Sequence, residues 1–381
     1  MDVNKGLPPG TLLHGAYRIE RILGQGGFGI TYLAYEIRLD RHVAIKEFFP
    51  KDYCDRESTS SQVTIGTENT KAFVESLKEK FLREGKNIVK FDHPGIIKVH
   101  TAFEENSTAY YVMDYIEGWS LSQLVKKRLE ERKWPLPEKE ALRYIRMVGE
   151  ALEYLHSHSM NHFDVKPANI LVRKSDDRPV LIDFGLSKQY DDSSRQATAT
   201  VMGMSQGYAP MEQYAAGGVK EFSPQTDLYA LAATLYYLLS GSAPPEAPSL
   251  AEQQLMFPAS IPVRLIDPIS KAMSWRRIDR HPTVRAFLED LETSAPKPQP
   301  QQEEEHTEVT YIPKEVSEEK EQPDAKTPED SKRGYTWIWF PAAAIIALAV
   351  WFFVFHDKET DSSGRQAKET TNPSPTLQTV E

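Results

Sequence analysis

The sequence predicts an α+β chain, with a β-rich part first and a larger helical part after it. Three observations lead there. Apolar residues alternate as in a strand through Tyr17–Leu23 and resume in Tyr32–Tyr35, and Ala109–Tyr115 is a further β-like run. Farther on, Ala141–His156 sets Leu142, Ile145, Val148, Leu152 and Leu155 at helical spacing on one face. That helix leads into a polar loop, His162–Asn169, reading His-Phe-Asp-Val-Lys-Pro-Ala-Asn, in which Pro167 interrupts any helix. The β-like run Val180-Leu181-Ile182 then puts Asp183 at a strand end.

Taken in order, residues 1–16 carry little periodicity and read as a lead-in. The strand from Tyr17 is broken by Gly24-Gln25-Gly26-Gly27-Phe28-Gly29-Ile30-Thr31 and then resumes, which predicts a Gly-rich hairpin. Glycines let backbone amides approach phosphate oxygens, and an aromatic at the tip, Phe28, can close over them; a plain glycine turn is the alternative. A dinucleotide-binding reading fails because a strand, not a helix, follows the glycines. Val43-Ala44-Ile45-Lys46 is a short apolar run ending in a lysine. In Phe73…Leu77…Phe81…Glu84…Ile88 the carboxylate of Glu84 lies on the apolar stripe, facing inward toward Lys46 rather than outward toward Lys80. The residues assign no chemistry to the long connection Glu47–Asn69 between them. Leu186–Gly207 is rich in Ser, Thr, Asp and Gly, the texture of a regulatory or substrate-facing segment. Ala209-Pro210-Met211-Glu212 closes it, and an apolar helix spans Leu228–Leu239.

Composition narrows the function. A chain of 381 residues with a formal charge of −10 offers no broad basic surface for nucleic-acid phosphates. Half of that excess falls between Thr293 and Gly334, where 11 acidic residues face 6 basic ones. A single cysteine, Cys54, excludes an intrachain disulfide and a cysteine-based zinc cluster. The N-terminus lacks a basic start followed by an apolar run, so no cleavable signal peptide is expected. Trp337–Phe355 holds 19 residues without a charge, enough to cross about 30 Å of hydrocarbon, and its aromatics crowd the two ends.

For phosphoryl transfer the polar loop makes chemical sense. Asp164 can accept a hydroxyl proton, Lys166 can face the transferring group and Asn169 can offer an amide oxygen to a metal; a plain charged loop is the alternative. With Asp183-Phe184-Gly185 the set resembles the protein-kinase signature HxDxKPxN…DFG. The ordered motifs from Tyr17 to Leu291 resemble the eukaryotic-like serine/threonine protein kinases of bacteria, here single-pass and membrane-anchored.

That resemblance implies a bilobal protein-kinase fold. A small β-rich lobe with one main helix (17–113), a hinge (114–118) and a larger helical lobe (119–292) would be followed by a disordered acidic linker (293–336), a transmembrane helix (337–355) and a short polar extracytoplasmic tail (356–381). It implies ATP with Mg²⁺, or Mn²⁺ as an alternative. Asp164 and Lys166 would be catalytic, and Asn169 and Asp183 would hold the metal. Leu23, Gly24, Gln25, Gly26, Gly27, Phe28, Gly29, Ile30, Thr31, Ala44, Lys46, Glu84, Asp114, Ile116 and Leu171 would surround ATP, with Met113 as gatekeeper. Asp227 would anchor the catalytic loop, and Glu212 would pair with Arg280. Implied partners are proteins with Ser/Thr acceptors, the chain itself among them, and the membrane. No nucleic acid is implied, and dimerisation is left open.

Two departures stand out. Phe163 replaces the arginine that grips a phosphorylated activation loop in many kinases, so activity is expected not to depend on such a phosphate. Gly203-Met204-Ser205 stands where a bracing threonine is usual, with Ser205 as the substitute. The rival reading is a membrane-tethered pseudokinase serving as a nucleotide-binding scaffold. A ligand-sensing receptor fits less well, because residues 356–381 are too few for a core.

Overall fold

The computed structural model describes residues 5–27, 29–57, 60–66, 68–184, 205–215, 219 and 221–293, all within one compact unit spanning Met1–Gln302. Phe28, Gly185, the segment to residue 204, and everything expected of the linker from residue 294, the apolar span and the tail lie outside the described residues.

The runs read at Tyr17–Leu23, Tyr32–Tyr35, Val43–Lys46 and Ala109–Tyr115 join two strands that were not read, Leu12–Leu13 and Val99–Glu105, in one antiparallel sheet. β1 (Leu12–Leu13), β2 (Tyr17–Gln25), β3 (Gly29–Glu36), β4 (Arg41–Phe48), β7 (Val99–Glu105) and β8 (Thr108–Asp114) lie in the order β1-β2-β3-β4-β8-β7. Register opposes Thr31 to Lys46 and Lys46 to Tyr111, so the strand-end lysine sits mid-sheet between two neighbours. β3 and β4 approach so closely at Gly29 that a Cβ there would lie 2.5 Å from the Glu47 carbonyl oxygen. Only glycine fits that crossing.

The lead-in differs from expectation. Leu7 and Leu13 are buried, β1 pairs with β2, and the Leu7 amide donates to the Tyr32 hydroxyl at 3.0 Å. Isolated buried leucines among Gly and Pro carry no period to detect. The long connection is also structured. It forms the small ladder of β5 (Cys54–Asp55) and β6 (Thr64–Ile65), fixed by Arg56. The Arg56 guanidinium binds both carboxylate oxygens of fully buried Glu47, which also accepts the hydroxyls of Tyr32 and Tyr110, each at 2.6 Å. A buried carboxylate is tolerable only when its lone pairs are so filled.

Helix α1 (Glu68–Ile88) packs its apolar stripe on β7 and β8. Past the sheet, β9 (Gly118–Ser120) leads into α2 (Leu121–Arg132), whose start is fixed by a reciprocal capping box between Ser120 and Gln123. The helix predicted over Ala141–His156 is α3 (Glu138–Ser157). β10 (Ile170–Arg173) and β11 (Pro179–Leu181) pair with β9 in a second sheet, order β11-β10-β9. The Ile97 and Leu181 amides, donating to Leu181 and Gly95 carbonyls at 2.9 and 2.8 Å, stitch β11 to the chain ahead of β7. Helix α4 (Pro224–Ser240) is apolar nearly all round and lies buried, as such a helix must. After the short α5 (Ala247–Leu250), helices α6 (Val263–Ala272) and α7 (Val284–Thr293) pack against it.

Candidate active site

The loop between α3 and β10 is held from below by Asp227, in the first turn of α4. Its carboxylate accepts the backbone amides of His162 and Phe163, each at 2.8 Å, the Asn161 side-chain amide at 3.0 Å and His156 Nε2 at 2.9 Å. Burial alone would raise this carboxyl, but the hydrogen bonds and charges around it hold it below the usual range. Phe163 adopts a left-handed φ of 64°, uncommon for a bulky side chain. Its amide is tied to Asp227 and its carbonyl accepts Gln213 Nε2 at 3.0 Å, so the surroundings impose the conformation. His162 is neutral: burial lowers it, Nδ1 accepts the Asp164 amide at 3.3 Å, and Nε2 donates to the Ile182 carbonyl at 3.1 Å.

Above that foundation the polar side chains converge. Asp164 Oδ1 accepts the Ser205 hydroxyl at 2.7 Å, and Oδ2 accepts Asn169 Nδ2 at 2.7 Å. Lys166 Nζ lies 2.9 Å from Asp164 Oδ2 and donates to Ser205 Oγ at 2.8 Å. Ser205 therefore closes a ring with Asp164 and Lys166. With its amide hydrogens given to Asp164, Asn169 has its amide oxygen left to offer a cation. Asp183 follows β11 with a φ of 55°, which aspartate tolerates.

Lys46 and Glu84 depart from expectation. Glu84 faces inward and is 6% exposed, but the direct ion pair with Lys46 is not formed. Lys46 Nζ lies 3.0 Å from Asp183 Oδ1 instead, and one Glu84 oxygen, Oε1, is buried without a hydrogen-bond partner. Lys46 Nζ is engaged by Asp183, and the Tyr111 ring packs nearby, stacked on Phe81 of α1 at 4.8 Å and 5.7 Å from Lys46 Nζ. Burial pushes the Glu84 carboxyl up to about 7. The same burial would lower the Lys46 ammonium, but the charges of Asp183 and Glu84 outweigh it and hold it well above the ordinary lysine value.

The remaining expected residues fall as follows. Gly24, Gln25, Gly26, Gly27, Gly29, Ile30 and Thr31 form the β2–β3 hairpin, where the Gly26 amide donates to the Gly29 carbonyl at 2.9 Å. Ala44 opposes Met113 across β4 and β8, and both are buried; Leu23 and Leu171 are partly exposed. β8 ends at Asp114, whose carboxylate contacts His100 at 2.8 Å, and half-buried Ile116 follows. The Glu212–Arg280 pair is bidentate at 2.8 and 3.0 Å, with the Arg280 side chain fully buried over the Tyr229 ring. Gln213 and Tyr111 drew no notice in the sequence. Alternation alone puts Tyr111 and Met113 on one face of β8, but only the register with Lys46 shows what Tyr111 meets.

Comparison with known proteins agrees with this architecture. The family described as "Protein kinase domain" matches residues 17–304. Serine/threonine-protein kinase PrkC of Bacillus subtilis is 30% identical over 296 residues, covering 75% of this chain and 41% of its own length. PknA of Mycobacterium tuberculosis is 32% identical over 240 residues, covering 62% and 49%. The chain thus spans less than half the length of these curated relatives. Among solved structures, "PpkA-294 apo form" superposes with a TM-score of 0.64 at 28% identity, covering 76% of this chain and 100% of the other. The kinase domain of Mycobacterium tuberculosis PknI does so with 0.54 at 25%, covering 76% and 99%. The chain belongs to the protein kinase domain family.

Proposed function

We propose that the chain transfers the γ-phosphoryl group of ATP to Ser or Thr hydroxyls of proteins, while tethered to a membrane. The observation that carries the reading is the ring of Asp164, Lys166 and Ser205 beside Asn169 and Asp183.

In this reading Asp164 accepts the proton of the acceptor hydroxyl, its oxygens oriented by Asn169 and Ser205. Lys166 lies against the same carboxylate and balances charge on the transferring group. Lys46 would position the α- and β-phosphates under the Gly-rich hairpin. The oxygen donors fit a hard cation: Asp183 and Asn169 supply two ligands, and phosphate and water complete such sites. Bound Mg²⁺, or Mn²⁺ in its place, neutralises charge on the phosphate oxygens.

Support for the tether is the uncharged run Trp337–Phe355. It lies outside the described residues, among which no helix is long and apolar enough to cross a membrane. Because ATP is cytosolic, the kinase unit would face the cytoplasm. Substrates would be Ser- or Thr-bearing proteins, the chain itself among them.

The test is ³²P transfer from γ-labelled ATP with Mg²⁺ to the protein itself and to a generic basic protein, beside Asp164→Asn. Phosphoserine or phosphothreonine, reduced at least about 100-fold in the variant, is expected. Nucleotide binding by a folded wild type without transfer would overturn the reading in favour of a pseudokinase.

A further inference from the structure

The chain leaving β4 runs beside the Gly-rich hairpin. Register sets Gly29 opposite Phe48 and Ile30 opposite Glu47, so the last residues of β4 flank the hairpin's second arm, and Gly29 and Ile30 are buried there. Near its tip the first arm has no such cover. Gly24, Gln25, Gly26 and Gly27 are exposed, and a Cβ on Gly24 or Gly27 would meet nothing within 4 Å. Packing does not fix that part of the backbone, so hydrogen bonds must.

At the tip the Gly26 amide donates to the Gly29 carbonyl at 2.9 Å and closes the hairpin on itself. A second bond comes from outside it: the Lys51 main-chain amide donates to the Gly27 carbonyl at 3.2 Å. Lys51 opens a single helical turn, in which the Pro50 carbonyl accepts the amides of Tyr53 at 3.0 Å and Cys54 at 2.9 Å. The first amide of such a turn has no partner within it, so Lys51 has a donor to give outward. The turn is itself anchored. Phe49 and Pro50 are buried, and the Arg56 guanidinium lies 5.2 Å from the Phe49 ring centroid. The Tyr53 ring meets Phe73 of α1 edge-on at 5.4 Å, and the Tyr53 carbonyl accepts the Gly66 amide at 3.0 Å. A tip without packing of its own is thus joined to a turn held by α1 and by the end of the β5–β6 ladder.

We propose that Lys51 is a positioning residue acting through its main chain: the connection between β4 and α1 braces the Gly-rich hairpin by holding the Gly27 carbonyl. Because a peptide group is planar, holding that carbonyl fixes the plane of the whole group. The inference rests on the reading in which the hairpin covers the ATP phosphates. It gives a segment to which the sequence assigns no chemistry a part in nucleotide affinity: glycine backbone that would be ordered at the expense of binding is ordered beforehand by the fold.

The test compares Lys51→Pro with Lys51→Ala on the full-length chain. Alanine removes the ammonium and keeps the amide; proline removes the amide as well, and its fixed φ suits the first position of a helical turn. Binding of a fluorescent ATP analogue is measured without turnover, alongside KM for ATP, kcat and thermal melting. Lys51→Pro is expected to bind about fivefold more weakly than Lys51→Ala, the scale of one neutral hydrogen bond, with KM moving more than kcat and little difference in melting temperature. Equal affinity and KM in the two variants, or a loss of kcat at equal KM, would overturn the proposal. Hydrogen exchange on the nucleotide-free protein gives a second reading. The Lys51 amide, on an exposed residue, should exchange at least about tenfold more slowly than in an open chain, and the stretch 24–31 should exchange faster in Lys51→Pro than in Lys51→Ala. A wild-type Lys51 amide that exchanges as in an open chain would refute the brace, even where Lys51→Pro does not fold. Exchange is read without ligand, so a wild type that binds no ATP, or binds it without transfer, would refute the proposed function and leave this reading intact.

Discussion

Glu84→Gln should make the protein's stability less dependent on pH. The carboxyl is buried, lacks a direct lysine partner and has one oxygen without any hydrogen bond, so it titrates near 7 when folded against an ordinary value of 4.5. A folded-state value above the unfolded one means that the protonated carboxyl's contribution is complete below about 4.5 and is lost as pH rises through about 7. At roughly 1.36 kcal/mol per pH unit the loss amounts to about 3 kcal/mol. Glutamine has the same shape and no charge to desolvate. Melting wild type and variant side by side from pH 5 to pH 8 should therefore open a gap in favour of glutamine of about 6–10 °C, for a domain of this size. Other carboxylates, Asp227 among them, shift both curves equally and cancel in the difference. Parallel curves would refute the reasoning, because they would mean that Glu84 carries its charge without cost and is ion-paired in solution.

Other perturbations test separate links. Arg280→Ala strips the partner from Glu212 within a buried bidentate pair and should cost about 3–5 kcal/mol in chemical denaturation. Gly29→Ala puts a Cβ 2.5 Å from the Glu47 carbonyl, so β3 and β4 must part; a loss of about 1–3 kcal/mol with a raised KM for ATP is expected. Ser205→Ala opens the ring between Lys166 and Asp164 and should cut phosphoryl transfer by about tenfold or more without changing the melting temperature, whereas Ser205→Thr should retain it.

Much of this architecture was legible because each element carries its own period. The alternation of Tyr17–Leu23, the stripe of α3 and the all-apolar α4 each needed no tertiary information. Chemistry-bearing spacing was legible for the same reason: Asp164, Lys166 and Asn169 share one short loop, so their convergence is local. What escaped depends on register between distant strands. Lys46 was read toward Glu84 because both faced inward, but inward-facing is a direction, and Asp183, brought in by a distant strand end, takes the lysine instead. Leu7 and the ladder of β5 and β6 escaped because two-residue strands leave no pattern. Gln213 was hidden for another reason: its amide supports a backbone carbonyl, Phe163's, and any residue type could have supplied that acceptor.

The Arg56–Glu47 contact changes what the stretch after Phe48 is. Glu47 is the neighbour of Lys46 in the same strand, and its buried charge is neutralised by a guanidinium from outside the sheet. Arg56 in turn binds the carbonyls of Lys5 and Ser61, drawing the N-terminal segment and the connection onto one cation. The connection is therefore the counterion of the central strand rather than an ornament on it. A chain shortened through residue 56 would strand a buried anion beside Lys46, so trimming and Glu47→Gln would have to be made together. The same dependence constrains sequence drift: losing Arg56 alone strands a buried anion, and losing Glu47 also takes the acceptor from the buried hydroxyls of Tyr32 and Tyr110.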